Sequence, residues 1–143
     1  MVLDKLSGAL LWKGGCDDRE SYANVVLATL AGVKQYVLFM ARGLHGVDWQ
    51  SGALLWRVPW DTRFYVNAAM PVGTGRDTVF ITSGYGHGCA SVKVTPRGAS
   101  YAWSNRCVQA HFTPPLFYNG FIYANSDPDD LVWISETPAP PAT

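Results

Sequence analysis

The chain has 143 residues with 11 basic and 11 acidic side chains, so its formal net charge is zero when histidine is neutral. Zero net charge argues against nucleic acid as a partner, because affinity for phosphates comes from a net-basic face. The content of 48% hydrophobic and 15% charged residues is too apolar for a disordered chain, and the length suits one domain. Fourteen glycines, six tryptophans and seven tyrosines favour an all-β fold with many turns.

The sequence shows no sign of a membrane span or an export signal. No apolar run reaches the ~18 residues of a membrane-spanning helix. The first residues (MVLDK) lack the charged and apolar regions of a signal peptide. The three cysteines, Cys16, Cys89 and Cys107, contain no CxxC pair, which argues against a structural zinc site.

One motif is repeated along the chain. Residues 3–13 (LDKLSGALLWK) recur as residues 47–57 (VDWQSGALLWR), with 44 residues between Trp12 and Trp56. A worn third copy ends at Trp103, and a fourth begins at residues 131–135 (LVWIS). A period of this length fits either a four-stranded propeller blade or a helical repeat.

The residues between the copies favour strands over helices. Short runs at residues 36–40 (YVLFM), 78–82 (TVFIT) and 121–124 (FIYA) are rich in β-branched and aromatic side chains, and glycine-containing turns separate them. No segment carries a sustained apolar stripe at helical spacing. The repeat is therefore interpreted as a β-propeller blade.

We predict a propeller segment over residues 1–136, with two complete blades at residues 20–60 and 62–107. Residues 1–13 supply the last two strands of another blade, and residues 110–134 supply the first three strands of a fourth. The predicted strands of the complete blades are 24–30, 35–40, 43–49 and 53–58, then 68–73, 78–83, 89–95 and 100–104. The proline-rich tail, residues 137–143, is predicted to be disordered.

The repeated motif predicts how the blades are held together. The segment from Asp48 to Gly52 is a tight turn in which the aspartate accepts backbone N–H groups and the glycine takes a positive φ. The tryptophan four residues later is expected to bury its ring between neighbouring blades. The predicted blade-docking residues are Asp4, Gly8, Trp12, Asp48, Gly52, Trp56, Gly98 and Trp103.

The pattern Asp-x-x-Ser-Gly-x-x-x-Trp, present twice at blade spacing, resembles the tryptophan-docking repeat of the PQQ-like (quinoprotein-like) β-propellers. Residues 67–71 (NAAMP), 83–89 (SGYGHGC) and 111–115 (HFTPP) resemble segments of bacterial members. The resemblance covers residues 2–134 and implies an all-β, partial β-propeller of four-stranded antiparallel blades, similar in plan to WD40-like repeat proteins. It implies little about function, because the repeat residues hold blades together.

The enzymes of this family bind pyrroloquinoline quinone (PQQ) with calcium and oxidise alcohols or sugars, with an aspartate as base. The chain has no vicinal cysteine pair and no evident cluster of oxygen ligands for calcium. The acidic segment Asp127-Pro128-Asp129-Asp130 is interpreted as a solvated turn. We therefore expect no catalytic residue, no metal site and no cofactor.

A non-catalytic scaffold or binding module is the function that these observations favour. One alternative is a fragment of a PQQ- and calcium-dependent alcohol or sugar dehydrogenase, and another is a truncated product without activity. The low charge favours a protein or a neutral small ligand as the partner. The wider family includes a lipoprotein that assists outer-membrane protein assembly, so the resemblance implies a periplasmic or exported parent protein.

Loops at one mouth of a propeller are the expected place for a binding site, because loops on a rigid scaffold often carry function. The alternative is structural, with Tyr85 in a simple turn and Asn67 holding backbone. No spacing among His45, His87 and His111 indicates a metal site. The candidate ligand-binding residues are Asp61, Arg63, Tyr65, Asn67, Tyr85, His87 and His111.

Two further features leave alternatives open. Cys89 and Cys107 each lie nine residues from Gly98, so a hairpin can bring them together as a disulfide, or they remain free thiols. A disulfide would imply an oxidising compartment. The incomplete end blades indicate either a fragment of a longer propeller, with open sheet edges, or a homodimer that swaps half-blades to close a six-bladed ring.

Overall fold

The computed structural model describes residues 1–75, 77–128 and 130–136. Every regular element in these residues is a β-strand, and the 13 strands form four antiparallel sheets. The described part of the chain contains no helix that could span a membrane. The tail predicted to be disordered, residues 137–143, lies outside the described residues.

The strands follow one another in chain order within each sheet. The first sheet holds β1 (Val2–Leu3) and β2 (Leu10–Trp12). The second holds β3 (Val26–Leu30), β4 (Val33–Met40), β5 (Gly43–Asp48) and β6 (Leu54–Pro59). The third holds β7 (Val72–Gly75), β8 (Thr78–Ser83), β9 (Gly88–Thr95) and β10 (Gly98–Asn105). The fourth holds β11 (Leu116–Tyr118), β12 (Phe121–Ser126) and β13 (Asp130–Ser135).

This arrangement is a partial β-propeller of four-stranded antiparallel blades, as predicted, with two complete sheets between two incomplete ones. Most strand bounds lie within two residues of their predicted places, but the strand predicted at residues 68–73 is wrong. β7 begins only at Val72. The preceding Pro71 has no N–H to donate to a ladder, and Asn67 is bound to the second sheet instead.

The sheets share their cores because successive side chains of a strand point to opposite faces. Val79 and Ile81 of β8 pack toward the second sheet, in the cluster that contains Val58. Phe80 of the same strand packs toward the fourth sheet, with Ile122. Each such buried side chain stabilises the fold by about 1.5–3 kcal/mol.

The repeated turns have nearly identical hydrogen bonds. Asp48 Oδ1 accepts the backbone N–H of Gln50 at 3.0 Å, the N–H of Ser51 at 2.8 Å and the hydroxyl of Ser51 at 2.7 Å. These bonds, led by the one from the Ser51 hydroxyl, lower the pKa of Asp48. Gly52 completes the turn with a φ of 74°.

The first copy of the turn repeats this pattern. Asp4 Oδ1 accepts the N–H of Leu6 at 3.1 Å and both the N–H and the hydroxyl of Ser7 at 2.8 Å. The bond from the Ser7 N–H is the main cause of the lowered pKa of Asp4. Gly8 has a φ of 72°.

The tryptophans dock in related but unequal ways. Trp56 is only 6% exposed, and its Nε1 lies 2.5 Å from Gln35 Oε1, between the second and third sheets. Trp12 is half-buried and covers Gly52 so closely that a Cβ there would lie 2.5 Å from the ring. A glycine is therefore needed at residue 52 both for the turn and for the contact with the first sheet.

The third copy departs from the other two. Trp103 is half-buried, and its Nε1 donates to the Glu136 carbonyl oxygen at 2.9 Å. A Cβ built on Gly98 would meet nothing within 4 Å, so no tryptophan covers this glycine as Trp12 covers Gly52. The Thr95 hydroxyl, which accepts the Arg97 N–H at 3.2 Å, replaces the aspartate of the other turns.

Candidate functional site

Two kinds of connection lie at the same end of the molecule, which we term the mouth end. In an antiparallel meander, the loops that join neighbouring sheets lie on the same side as the loops that join the two middle strands. Residues 60–71 and 106–115 join sheets, and residues 84–87 join β8 to β9. All seven residues predicted to bind a ligand lie in these three connections.

Asn67 lies beneath the mouth rather than on its surface. It is buried, and its Nδ2 donates to the carbonyl oxygens of Met40 at 2.8 Å and Ala41 at 3.3 Å. Its Oδ1 accepts the Ser83 hydroxyl at 2.7 Å, and Trp60 Nε1 donates to the same hydroxyl oxygen at 2.9 Å. Asn67 therefore joins the second and third sheets, which supports the structural interpretation of this residue.

Four rings form a continuous chain on the surface of the mouth end. Phe64 and Tyr85 have ring centres 5.0 Å apart, and Tyr85 and His111 have centres 4.3 Å apart, both edge to face. His111 stacks on Phe112 at 3.9 Å. Phe64, Tyr85 and Phe112 are nevertheless 52%, 57% and 67% exposed. We refer to these four residues as the mouth aromatic cluster.

Glycines place Tyr85 and His111 against each other. A Cβ on Gly84 would lie 2.8 Å from His111 Cγ and 3.0 Å from Asp127 Oδ2, so only glycine fits there without displacement. Tyr85 has a φ of 56° and Gly86 a φ of 76°, and the turn closes with a bond of 3.2 Å from the His87 N–H to the Gly84 carbonyl oxygen. The cluster is thus built on a tight turn.

His87 lies in a neighbouring cleft, away from the cluster. Its ring meets Trp60 edge to face at 4.5 Å, and Arg106 lines the same cleft. Burial, followed by the positive charge of Arg106, lowers the pKa of His87, and Asp61 opposes this effect. We therefore expect His87 to be uncharged near neutral pH, with its ring serving as an aromatic contact of Trp60.

Arg63 and Tyr65 are engaged in contacts within the mouth end itself. The Arg63 guanidinium carbon lies 5.1 Å from the centre of the Phe64 ring. The Arg42 guanidinium carbon lies 5.3 Å from the centre of the Tyr65 ring. Burial, followed by the negative charge of the exposed Asp61, raises the pKa of the Tyr101 hydroxyl.

A cleft of about 440 Å³ opens beside the mouth aromatic cluster. Its walls come from His111 and Phe112 on one side and from the connection between β12 and β13 on the other. Asp127 and Asp130 line the second wall and are exposed. The segment interpreted as a solvated acidic turn therefore forms part of this cleft, although its Asp129 lies outside the described residues.

A second polar cleft, lined by Asp17, Asp18 and Arg42 among others, lies next to the predicted strand residue His45. His45 is buried in β5, and its Nε2 lies 3.1 Å from Asp18 Oδ2, which also accepts the Arg42 N–H at 3.1 Å. Burial lowers the pKa of His45, and Asp18 opposes the shift. This pair holds the segment before β3 against the second sheet.

Grouped metal ligands and neighbouring thiols were sought among the described residues. Residues 1–75, 77–128 and 130–136 contain no group of three His, Cys, Asp or Glu side chains placed to share a metal ion. The Sγ atoms of Cys89 and Cys107 are 3.9 Å apart and are not joined by a covalent bond. Burial is the main cause that raises the pKa of Cys89 to about 12. Of the two alternatives left open by the sequence, this structure has free thiols, and the disulfide stays a possibility for oxidising conditions.

Sequence reasoning missed two rings of the cluster, Phe64 and Phe112. Each directly adjoins a residue that was selected, Arg63 or His111, but nothing in the sequence places residues 64, 85 and 112 side by side. It also missed Asp18, whose only signal was the charged segment around it (DDRE). These contacts depend on how the sheets pack.

No family model matches the chain, and no curated protein matches it either. A solved structure, the crystal structure of BamB from Moraxella catarrhalis, is similar with a TM-score of 0.66 and 18% sequence identity. The similar region covers 93% of this chain and 42% of the BamB chain. This similarity supports the β-propeller fold, and the chain spans less than half the length of BamB.

Proposed function

We propose that the chain is a non-catalytic, PQQ-like β-propeller segment that serves as a scaffold and binds an extended protein segment at its mouth end. The observation that supports this proposal best is the mouth aromatic cluster. It exposes three large rings to solvent although it is built on close-packed glycine-rich backbone.

Exposed aromatic rings are suited to binding because they bury a large apolar area with few rotatable bonds. Each ring of the cluster is held by its neighbour, so little conformational entropy remains to be lost when a partner covers it. The zero net charge of the chain suits a partner recognised through apolar contacts rather than through long-range attraction.

An array of immobilised 13-residue peptides, tiled along an unrelated unfolded polypeptide, tests this function. We expect a subset of peptides to bind the wild-type chain and to lose at least about tenfold in affinity with Tyr85→Ala plus Phe112→Ala, because these anchors supply most of the buried area.

The matched control is Leu116→Ala plus Tyr118→Ala, which removes two comparably exposed side chains from β11. Equal losses in both double variants would contradict a site at the mouth aromatic cluster, and so would an array to which the wild-type chain does not bind.

The related expectations on family, compartment and cofactor are part of the same proposal. The motif resemblance and the BamB-like fold support membership of the PQQ-like propellers and a periplasmic or exported parent protein. We propose that no PQQ or calcium takes part. The alternative, a segment of a quinoprotein dehydrogenase, is favoured by no specific contact among the described residues, and calcium-dependent binding of PQQ would establish it.

The incomplete end sheets bear on how the ring is completed. Within the described residues, the first sheet has two strands and the fourth has three, so a blade swapped between two copies would receive five strands where the complete blades have four. A swapped homodimer therefore requires β1 or β13 to leave its sheet. This count favours completion by further blades over exchange of half-blades.

Size-exclusion chromatography with light scattering tests the choice. A defined species of about 31 kDa, twice the chain mass of 15.6 kDa, would support the homodimer. A polydisperse aggregate would support open sheet edges that further blades normally cover.

A further inference from the structure

We propose that the cleft beside the mouth aromatic cluster receives an arginine side chain of the bound protein segment. The inference rests on the proposed function and adds the chemistry that the partner must carry. The surface concerned consists of Tyr85, His111, Phe112, Asp127 and Asp130.

The charge of the cleft points to a cationic guest. Among the described residues, the charged side chains that line it are Asp127 and Asp130, both acidic, and its volume of about 440 Å³ is enough for one long side chain. A guanidinium group carries five N–H donors in a planar fork, which suits the carboxylates of Asp127 and Asp130.

The cation–π contacts within the mouth end point to the same chemistry. The chain's own Arg63 covers the Phe64 ring, and Arg42 covers the Tyr65 ring. Among the described residues, no Lys or Arg covers the rings of Tyr85 and Phe112. Phe112 lines the acidic cleft, and Tyr85 contacts His111, which also lines it. A partner's guanidinium can therefore stack on a ring and pair with a carboxylate at the same time.

The test uses a glycine–serine peptide of 11 residues with one central arginine, and a twin in which citrulline replaces it. Citrulline keeps the shape of the side chain and removes its charge. We expect the arginine peptide to shift the amide resonances of residues 111, 112 and 127 in an NMR titration. The citrulline peptide should bind at least about tenfold more weakly, because the carboxylates lose their charged partner.

Variants then locate the site. Asp127→Asn, or Asp130→Asn if the first variant disturbs the spectrum of the free protein, should weaken binding of the arginine peptide about fivefold or more. Phe112→Leu should weaken it through the lost ring face. Asp17→Asn is the matched control, because it removes an exposed carboxylate beside the other polar cleft, and it should leave binding unchanged.

The possible results separate this inference from the proposed function. Equal binding of both peptides, or equal losses in Asp127→Asn and Asp17→Asn, would overturn the arginine site. The peptide array would still support an aromatic binding surface if its hits did not depend on arginine. Binding neither to the array nor to the arginine peptide would overturn both.

Discussion

The loops at the two ends of the blades differ in how closely they repeat from one sheet to the next. At the turn end, Asp4 and Asp48 each accept three hydrogen bonds from the residues that follow, and matching distances differ by 0.1 Å at most. At the mouth end, no two connections carry the same side chains. The mouth aromatic cluster draws its four rings from three different connections.

The difference separates residues that build the blade from residues that are free to bind. A repeated turn has the same structural role in each blade, so its side chains are already engaged in local hydrogen bonds. The mouth connections also contain structural residues, such as Asn67, but they hold exposed rings that no backbone bond requires. Substitutions at the two ends are therefore expected to affect different measurements.

The largest effect is expected from the docked tryptophans. Trp56→Ala should lower the free energy of unfolding by about 3–5 kcal/mol, because it empties a buried site and leaves Gln35 without its indole partner. Trp12→Ala should cost clearly less, since this ring is half-buried. Urea denaturation followed by circular dichroism measures both. Equal losses would show that the first sheet docks as tightly as the second.

Oxidation of Cys89 and Cys107 to a disulfide is expected to have the next largest effect on the free energy of unfolding. In oxidised glutathione, Cys107 is expected to form a mixed disulfide, which releases one glutathione thiol. Cys89 then attacks the Cys107 sulfur and displaces the second glutathione thiol, which closes the protein disulfide. A disulfide that closes the loop between residues 89 and 107 should add about 3 kcal/mol to the free energy of unfolding. Because the pKa of Cys89 is about 12, closure should speed up as the pH rises, since the thiolate is the attacking species.

Counting free thiols in denaturant checks this prediction. We expect three thiols before oxidation and one, Cys16, after it. Cys89→Ser serves as the control, because it should retain Cys107 only as a mixed disulfide. Two or more thiols that persist in the wild-type chain at high pH would rule the pairing out.

Asn67→Ala tests the buried network beneath the mouth. It removes the donor to the Met40 carbonyl oxygen and the acceptor of the Ser83 hydroxyl, and we expect a loss of about 2–3 kcal/mol in the free energy of unfolding. Arg63→Ala, a neighbouring exposed position, should change stability by no more than about 0.5 kcal/mol. Thermal denaturation of the two variants compares them, and a small effect of Asn67→Ala would return this residue to the ligand-binding candidates.

The smallest effect should come from the repeated turns and should depend on pH. Asp4 and Asp48 have pKa values below their ordinary 3.8, so the stability that they contribute is fully present above that pH. It is lost as the pH falls through their lowered folded-state values. Asp4→Asn plus Asp48→Asn should therefore flatten the acid limb of the stability profile and leave the rest of its shape unchanged. A wild-type acid limb retained by the double variant would assign acid sensitivity elsewhere.

Much of the fold was predictable because the same sequence motif recurs at the spacing of a propeller blade. The pattern around Trp12 and Trp56 predicted the blade, and the turns formed as expected. The start of β7 was not predictable, because Asn67 is bound to Met40, 27 residues away along the chain. The seven candidate residues lie in connections at one end of the sheets, and their role in binding stays a prediction. The contact between Tyr85 and His111 depends on sheet packing and on the space left by Gly84.

The shared cores have a consequence for how the chain opens. Because β8 sends Val79 and Ile81 to one neighbour and Phe80 to the other, the third sheet cannot separate from either side without exposing apolar surface. Such nearest-neighbour coupling makes stability add up along the array of sheets, as in other repeat proteins. Amide protons of β8 and β9 should therefore exchange with solvent only in rare, wide openings, whereas those of β1 and β2 should exchange through local fraying.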